Sequence, residues 1–199
     1  MTVRHRLPST VHGVALTFDD CDQGGAWSEI LDVLAAEKVA ATFFANGMRV
    51  EQFPEPARRT VDEGHALGAH GWDHSDLTRL PSEEVERRLL ADRCAWCEVG
   101  AKNVVLFRPP YGRFGPETLE AARRAGYREM VLWDVDPSDW QLPEPEDIVT
   151  RVLQASSPGS IIALHVTVPT ASALPGLIQG LRHEGLACVP LEESRGPPA

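Results

Sequence analysis

Short apolar runs alternate with longer amphipathic segments along most of this chain. The apolar runs favour strands and read GVALTF, VAATFFAN, HALGAH, NVVLFR, EMVLWDV, SIIALHV and ACVPL. The segments between them have helical periodicity and read AWSEILDVLAAEK, PEPARRTVDEGH, PSEEVERRLLADRCAWCEV, GPETLEAARRAGY, PEDIVTRVLQAS and TASALPGLIQGLRHEG. Alternation repeated about seven times predicts a parallel sheet covered by helices, either an open doubly wound sheet or a closed or distorted barrel.

Ionisable residues occur at the carboxyl ends of five predicted strands. In chain order they are Asp19 and Asp20, then His70 and His74, then the arginine of RPPYG, then the aspartates of DVDPSDW, then His165. In both candidate architectures the active site lies at this edge of the sheet. The pattern therefore predicts one cluster of metal ligands and acid/base groups.

The two histidines occur in HGWDH, a spacing that is also found in helical metal sites. Gly68 and Gly71 argue against a long helix here, so we expect a strand end or a tight turn. With Asp20, the pair forms a two-histidine, one-carboxylate site with open positions, which suits zinc or another divalent transition metal. The same ligand set serves non-haem iron oxygenases, but those usually have an all-β fold.

The adjacent aspartates of TFDD repel each other unless something offsets their charge. If one binds the metal, the other is free to act as a general base on the metal-bound water. Ligation lowers the pKa of that water from about 15.7 toward about 7. A positioned base could add about 10²–10⁴-fold to the rate.

Composition and charge limit the other possibilities. The chain has 199 residues, 43% hydrophobic and 24% charged, and a net charge of -10, so we expect one soluble domain. Nucleic acid and anionic membranes are not expected as partners.

The N-terminal MTVRHRLPSTVHG has no apolar signal region, which favours a cytoplasmic location, with secretion as the alternative. The four cysteines are expected to be free, and the two thiols of CAWC are expected to lie in a helix and to contribute to its packing.

The motifs TFDD, HGWDH, RPPYG, DPSDW and LH occur in the order and approximate spacing of the five motifs of the polysaccharide deacetylase family, the NodB-homology domain. The chain resembles this family over residues 14–191, which leaves an N-terminal extension, 1–13, and a C-terminal tail, 192–199. The resemblance implies a single-domain α/β fold of the distorted (β/α) barrel type. It also implies metal-dependent removal of N-acetyl, sometimes O-acetyl, groups from carbohydrates.

Carried over to this sequence, the resemblance implies a role for each motif residue. One divalent ion, zinc first and cobalt, nickel, manganese or iron as alternatives, would be bound by Asp20, His70 and His74. The catalytic group would comprise the base Asp19, its partner Arg108, the acid His165, its partner Asp139 in preference to Asp136, and the backbone N–H of Tyr111 as an oxyanion donor. The substrate would contact Trp140, Leu164, Pro110 and Tyr111, with Leu164 at the acetate methyl.

Two residues depart from the family pattern. Cys21 replaces the common glycine after TFDD, and Val166 replaces a common aspartate after the last histidine. The second change puts the substrate in question more than the chemistry. We expect an acetamido sugar or a related small N-acetylated compound. The alternatives are chitin oligomers or peptidoglycan, a cyclic amide or N-acyl metabolite, and a non-catalytic carbohydrate-binding role. The oligomeric state is left open.

Overall fold

The computed structural model describes residues 1–191. Its strands are β1 Thr2–Arg4, β2 Gly13–Asp20, β3 Thr42–Ala45, β4 Ala66–Ala69, β5 Leu106–Phe107, β6 Glu129–Val131, β7 Ile161–His165 and β8 Ala187–Cys188. Its helices are α1 Gly24–Glu37, α2 Gly47–Gln52, α3 Pro54–Asp62, α4 Ser82–Glu98, α5 Pro116–Arg124, α6 Pro145–Ala155 and α7 Val168–His183.

The strands form one parallel sheet in the order β1-β6-β5-β4-β3-β2-β7, with β8 paired to the start of β2. After β6, Val135 makes a parallel bridge to Ile162 of β7, so the sheet curls until its two sides meet. The predicted distorted (β/α) barrel is therefore confirmed. The all-β fold of the oxygenase alternative is absent from residues 1–191.

Side chains on β2 alternate between two apolar layers, as expected for a strand buried on both faces. Leu16 and Phe18 belong to the larger core between the sheet and the helices, where Phe18 stacks on Phe43 at 5.1 Å. Ala15 points to the other face and joins a smaller cluster with residues such as Phe44. This alternation decides which residues at the strand ends reach the site.

The structure adds three features to the sequence-based boundaries. β1 lies within the predicted N-terminal extension and pairs with β6, so residues 2–4 belong to the sheet. The short helix α2 was not predicted, and α7 begins at Val168, earlier than expected. The predicted tail, 192–199, lies outside the described residues. No helix within residues 1–191 is both long enough and apolar enough to cross a bilayer.

The cysteines follow the predictions in part. All four are free, as expected, and CAWC lies in α4. The expectation that its thiols pack in the helix interface is wrong, because Cys94 and Cys97 are exposed. Ala95 and Trp96 between them occupy the buried face instead.

Candidate metal and active site

Two adjacent aspartates end β2 and face different partners. Asp19 is 3% exposed and lies at the inner face of the sheet, whereas Asp20 is partly exposed. Asp20 and Cys21 have φ angles of 68° and 60°, in the left-handed region that non-glycine residues seldom adopt. The strand therefore ends in a sharp bend that separates the two carboxylates.

Asp20 meets the two histidines that follow β4. Its Oδ1 lies 3.4 Å from Nε2 of His70 and 3.2 Å from Nε2 of His74. One ligand atom from each of the three residues lies within 4.8 Å of the others. The histidines were expected at a strand end or a tight turn: His70 directly follows β4, which ends at Ala69, and His74 lies in the bend beyond it.

The three residues fit a divalent metal. Oδ1 of Asp20 is buried without a hydrogen-bond partner, which is costly unless a cation occupies the space. Nδ1 of His70 is 2.8 Å from the carbonyl oxygen of Arg108, which leaves Nε2 as the free ligand atom. The pKa of His74 is lowered, first by burial and then by His70, so its imidazole is in the neutral form that binds metals.

The Asp20 carboxylate is kept ionised by its surroundings. Burial raises its pKa, but the neighbouring imidazoles of His70 and His74 outweigh burial and hold the pKa well below its ordinary value. The site therefore offers one anionic oxygen and two imidazole nitrogens, a donor set typical of zinc and similar ions.

Arg108 lies fully buried behind Asp19. Its Nη1 donates to Oδ1 of Asp19 at 2.6 Å and to Oγ1 of Thr17 at 2.8 Å. Its Nε and Nη2 donate to the carbonyls of Val131 and Leu132. Burial lowers the pKa of Arg108, and Asp19 opposes that shift. The guanidinium is thus fixed on both sides and holds the Asp19 carboxylate in one orientation.

His165 at the end of β7 is held by Asp139. Nδ1 of His165 is 2.8 Å from Oδ1 of Asp139, and the backbone N–H of His165 donates to Oδ2 at 2.7 Å. Oγ1 of Thr170 donates to the same Oδ2 at 2.6 Å. Burial lowers the pKa of His165, but the Asp139 hydrogen bond and the neighbouring carboxylates outweigh it and raise the pKa to about 9.

The other aspartate of DVDPSDW has a different environment. Asp136 is exposed, lines the cavity and accepts a hydrogen bond from the backbone N–H of Ser138 at 2.7 Å. Asp139 is fully buried behind His165. The structure thus brings Asp139, the residue preferred on sequence grounds, to His165.

These groups open into one cavity of about 420 Å³. The cavity is lined by Asp19, Asp20, His70, His74, Tyr111, Trp133, Asp136, Trp140, Ala163 and His165. Trp140 is 55% exposed and Tyr111 58% exposed, and the Tyr111 ring lies 4.5 Å from that of His74. Trp133 also lines the cavity, although none of the motifs includes it. Its place just after a strand, at the edge of the sheet where the site was expected, was the sequence signal that could have identified it.

Three residues that the sequence linked to the substrate, two as contacts and Val166 as a departure from the family pattern, do not line this cavity. Leu164 was expected at the acetate methyl, but strand alternation turns it into the core with Phe18, and Ala163 lines the cavity instead. Pro110 is buried and packs close to Gly71. Val166 is fully buried in the core, so it is not at the edge of the site.

Cys21 packs in the core and is not among the metal-site ligand atoms. Burial, with Asp20 and Asp19, raises the pKa of its thiol well above the ordinary value. The side chain is therefore a protonated, packing thiol, in agreement with a small side chain replacing glycine.

Left-handed backbone is concentrated at the site. Of the seven non-glycine residues with positive φ in residues 1–191, six lie in or beside the motifs: Asp20, Cys21, His74, Tyr111, Ser138 and Leu142. The seventh, Lys38, caps α1. Such residues cost about 1–3 kcal/mol each and persist where the surrounding structure holds them.

Comparison with known proteins agrees with this geometry. The family model described as polysaccharide deacetylase matches residues 7–130. A chitooligosaccharide deacetylase of Azorhizobium caulinodans is 33% identical over 196 residues, which is 96% of this chain and 93% of that protein.

Two solved structures have the same fold. A peptidoglycan N-acetylglucosamine deacetylase superposes with a TM-score of 0.90 at 30% identity, covering 96% of this chain and 91% of that one. A pseudoenzyme of carbohydrate esterase family 4 from Bacillus anthracis superposes with a TM-score of 0.89 at 28% identity, covering 94% and 66%.

Proposed function

The chain belongs to the polysaccharide deacetylase family and is a deacetylase of the metal-dependent type, and on that premise we propose that it removes the N-acetyl group from N-acetylglucosamine units of short, uncharged oligosaccharides. The products are acetate and a free amine on the sugar. The observation that carries the proposal is the convergence of Asp19, the Asp20–His70–His74 group and His165 on one cavity.

We assign the metal to Asp20, His70 and His74, with zinc as the ion. When bound, a divalent ion supplies a positive charge that polarises the acetyl carbonyl and makes a water more acidic. Three protein ligands leave room for substrate, as in catalytic rather than structural zinc sites.

Asp19 is the general base in this proposal. Its carboxylate lines the cavity, while Arg108 holds Oδ1 from behind at 2.6 Å. The arginine leaves Oδ2 to take the proton of the attacking water. The buried pair thus keeps the base in place before substrate arrives.

His165 is the general acid. An amine departs poorly as an anion, so its nitrogen must receive a proton as the C–N bond breaks. Asp139 holds Nδ1 of His165, which leaves Nε2 for the leaving nitrogen. The raised pKa of about 9 keeps the imidazole protonated near neutral pH.

Tyr111 contributes its backbone in this proposal. Its φ of 61° and ψ of 9° turn the RPPYG segment beside His74. A backbone N–H at this position would donate to the oxyanion that forms when water attacks the acetyl carbon. The exposed ring stays free to contact the sugar.

The cavity suits a small uncharged sugar. Its volume is near the lower end of the roughly 300–1,000 Å³ usual for ligand sites. Tyr111, Trp133 and Trp140 supply aromatic walls, which pack well against sugar rings. Asp136 adds a carboxylate at the edge, and the lining residues include no lysine or arginine to bind an anionic substrate.

An acetate-release assay of the zinc-loaded protein tests the proposal. The panel contains N-acetylglucosamine oligomers, acidic peptidoglycan fragments and small acetamides, with Asp19→Asn as the inactive reference. We expect release from the neutral oligomers. Release confined to acidic fragments, or to small acetamides that are not sugars, would contradict the substrate.

One second candidate has a specific observation in its favour, which is the similarity to the Bacillus anthracis pseudoenzyme. A binding-only relative would hold neutral oligomers without releasing acetate. Against it stand the intact base, acid and metal ligands of this chain. The same assay separates the two, because oligomer binding without acetate from the zinc-loaded protein would favour the binding role.

A further inference from the structure

Both histidine ligands lie on a loop that lacks regular secondary structure. Residues 70–75, the histidine loop, follow β4 and precede a short 3-10 turn at Leu77–Arg79. Gly71 and His74 have φ angles of 79° and 60°, so the loop bends sharply at two points. Contacts from outside the loop must therefore fix the separation of the two imidazoles.

α4 holds the His70 end of this loop through the buried carboxyl group of Asp92. Asp92 is fully buried, and its Oδ2 accepts the backbone N–H of His70 at 3.2 Å. That N–H also points to the carbonyl of Ala45, at 3.2 Å. Burial raises the pKa of Asp92, and the nearby backbone N–H groups of His70, Gly47 and Gly71 oppose that shift. One side chain thus joins the start of α2 to the start of the histidine loop.

The close approach of these segments leaves little freedom. A Cβ atom on Gly47 would lie 2.7 Å from Cα of Asp92 and 2.7 Å from the Trp72 ring. The backbone N–H of Gly47 also donates to the carbonyl of Gly71, at 3.1 Å. The start of α2 is therefore packed directly against both Asp92 and the histidine loop.

α4 holds the His74 end through an arginine one turn earlier. Nη1 of Arg88 donates to the two carboxylate oxygens of Asp73 at 2.7 and 2.6 Å, and to Oγ of Ser75 at 2.8 Å. Asp73 and Ser75 flank His74 directly. Nε of Arg88 donates to Glu84 at 2.7 Å, which holds the guanidinium from its other side.

We propose that Asp92 and Arg88 are positioning residues that set the spacing of the His70 and His74 ligand nitrogens. They lie four residues apart on α4, which puts them on one face of the helix, and each grips one end of the histidine loop. Neither lines the cavity, so they act on the metal only through the histidines. The inference rests on the metal site of the proposed function.

The test is a metal-affinity comparison on the full chain. Asp92→Leu removes the acceptor for the backbone N–H of His70, whereas Asp92→Asn keeps one acceptor oxygen. Arg88→Ala removes the hydrogen bonds to Asp73 and Ser75 on either side of His74. Arg87→Ala is the matched control, because Arg87 is the neighbouring arginine on α4 and its ion pair is with Glu84 rather than with the loop.

Zn²⁺ affinity is measured by competition with a chromophoric chelator, and ligand geometry by the visible spectrum of the Co²⁺-loaded protein. We expect Arg88→Ala and Asp92→Leu to weaken Zn²⁺ binding about 10–100-fold and to alter the Co²⁺ spectrum. Arg87→Ala and Asp92→Asn should match the wild type in both measurements. Circular dichroism of the metal-free proteins checks that each variant folds.

Two results would overturn the inference. One is an Arg88→Ala variant that binds Zn²⁺ as tightly as Arg87→Ala; the other is an Asp92→Asn variant that loses as much affinity as Asp92→Leu. If Asp92→Leu does not fold, the Arg88→Ala comparison decides, because Arg88 lies at the surface edge of the loop. A wild-type protein that bound neither ion would contradict the proposed metal site itself.

Discussion

Asp19 and His165 occupy the same level of two neighbouring parallel strands. They are the last register partners of β2 and β7, which places their side chains on the same face of the sheet. The backbone positions of the proposed base and acid are therefore about one strand separation apart. The hydrogen bonds between β2 and β7 fix this spacing, and no loop is involved. The reacting acetamide would lie between two groups whose relative position is built into the core.

The two aspartates of TFDD should separate activity from metal binding. We expect Asp19→Asn to keep its metal and to lose about 10²-fold or more in kcat/KM, because the base differs from the ligand beside it. Asp20→Asn should lose the metal. Metal analysis after dialysis and acetate release measure both. The reverse result, with the metal lost only from Asp19→Asn, would exchange the two roles.

The pH profile of kcat/KM should be bell-shaped, with its alkaline limb near pH 9. His165 must be protonated to act as the acid, so activity is present below its pKa of about 9 and falls as pH rises through that value. Asp139→Asn should move this limb to lower pH, since Asp139 raises the pKa. His165→Ala should be slow and lack the limb on amide substrates. A limb retained in His165→Ala would identify another proton donor.

Arg108 should matter for stability as well as for rate. Arg108→Met leaves the Asp19 carboxylate buried without its partner, and we expect a loss of about 3–5 kcal/mol in the free energy of unfolding, measured in urea. Arg108→Lys should restore little, because an ammonium cannot reproduce the four donor contacts. The surface pair Arg123–Glu120 provides the control, and Arg123→Ala should leave stability unchanged.

Chain length should have a limited effect on rate. Across N-acetylglucosamine oligomers from monomer to hexamer, we expect kcat/KM to rise by less than about 10²-fold, which is about 2.7 kcal/mol of transition-state binding. The reason is the small cavity of about 420 Å³, which leaves little room for further sugar units. A steeper rise would indicate several sugar subsites and a polymer as substrate.

Much of the site was predictable because the carboxyl ends of parallel strands lie at the same edge of the sheet. That rule alone brought Asp19, His70 and His165 together before any geometry was known. It could not fix which way each side chain points. Leu164 was therefore predicted to line the cavity, whereas its neighbour Ala163 does so. β7 is buried on both faces, so both residues are apolar and the sequence does not show which of them faces the cavity.

Other features had weaker signals. β1 is an edge strand of three residues, which is too short to show a pattern. Asp92 was missed, yet it had a signal, because it falls on the apolar face of α4 with Leu89 and Trp96. A carboxylate in an apolar helical stripe indicates a buried polar contact, but its partners come from distant segments that the local sequence does not identify.

The left-handed backbone at Asp20, His74 and Tyr111 has an evolutionary consequence. Each of these residues holds a conformation that glycine would adopt at lower cost in free energy. The side chains of the site are therefore kept at some cost to the stability of the fold. A lineage released from selection for deacetylation would gain stability by such replacements. Replacement of Asp20 or His74 by glycine would therefore relieve backbone strain while it removes a proposed metal ligand.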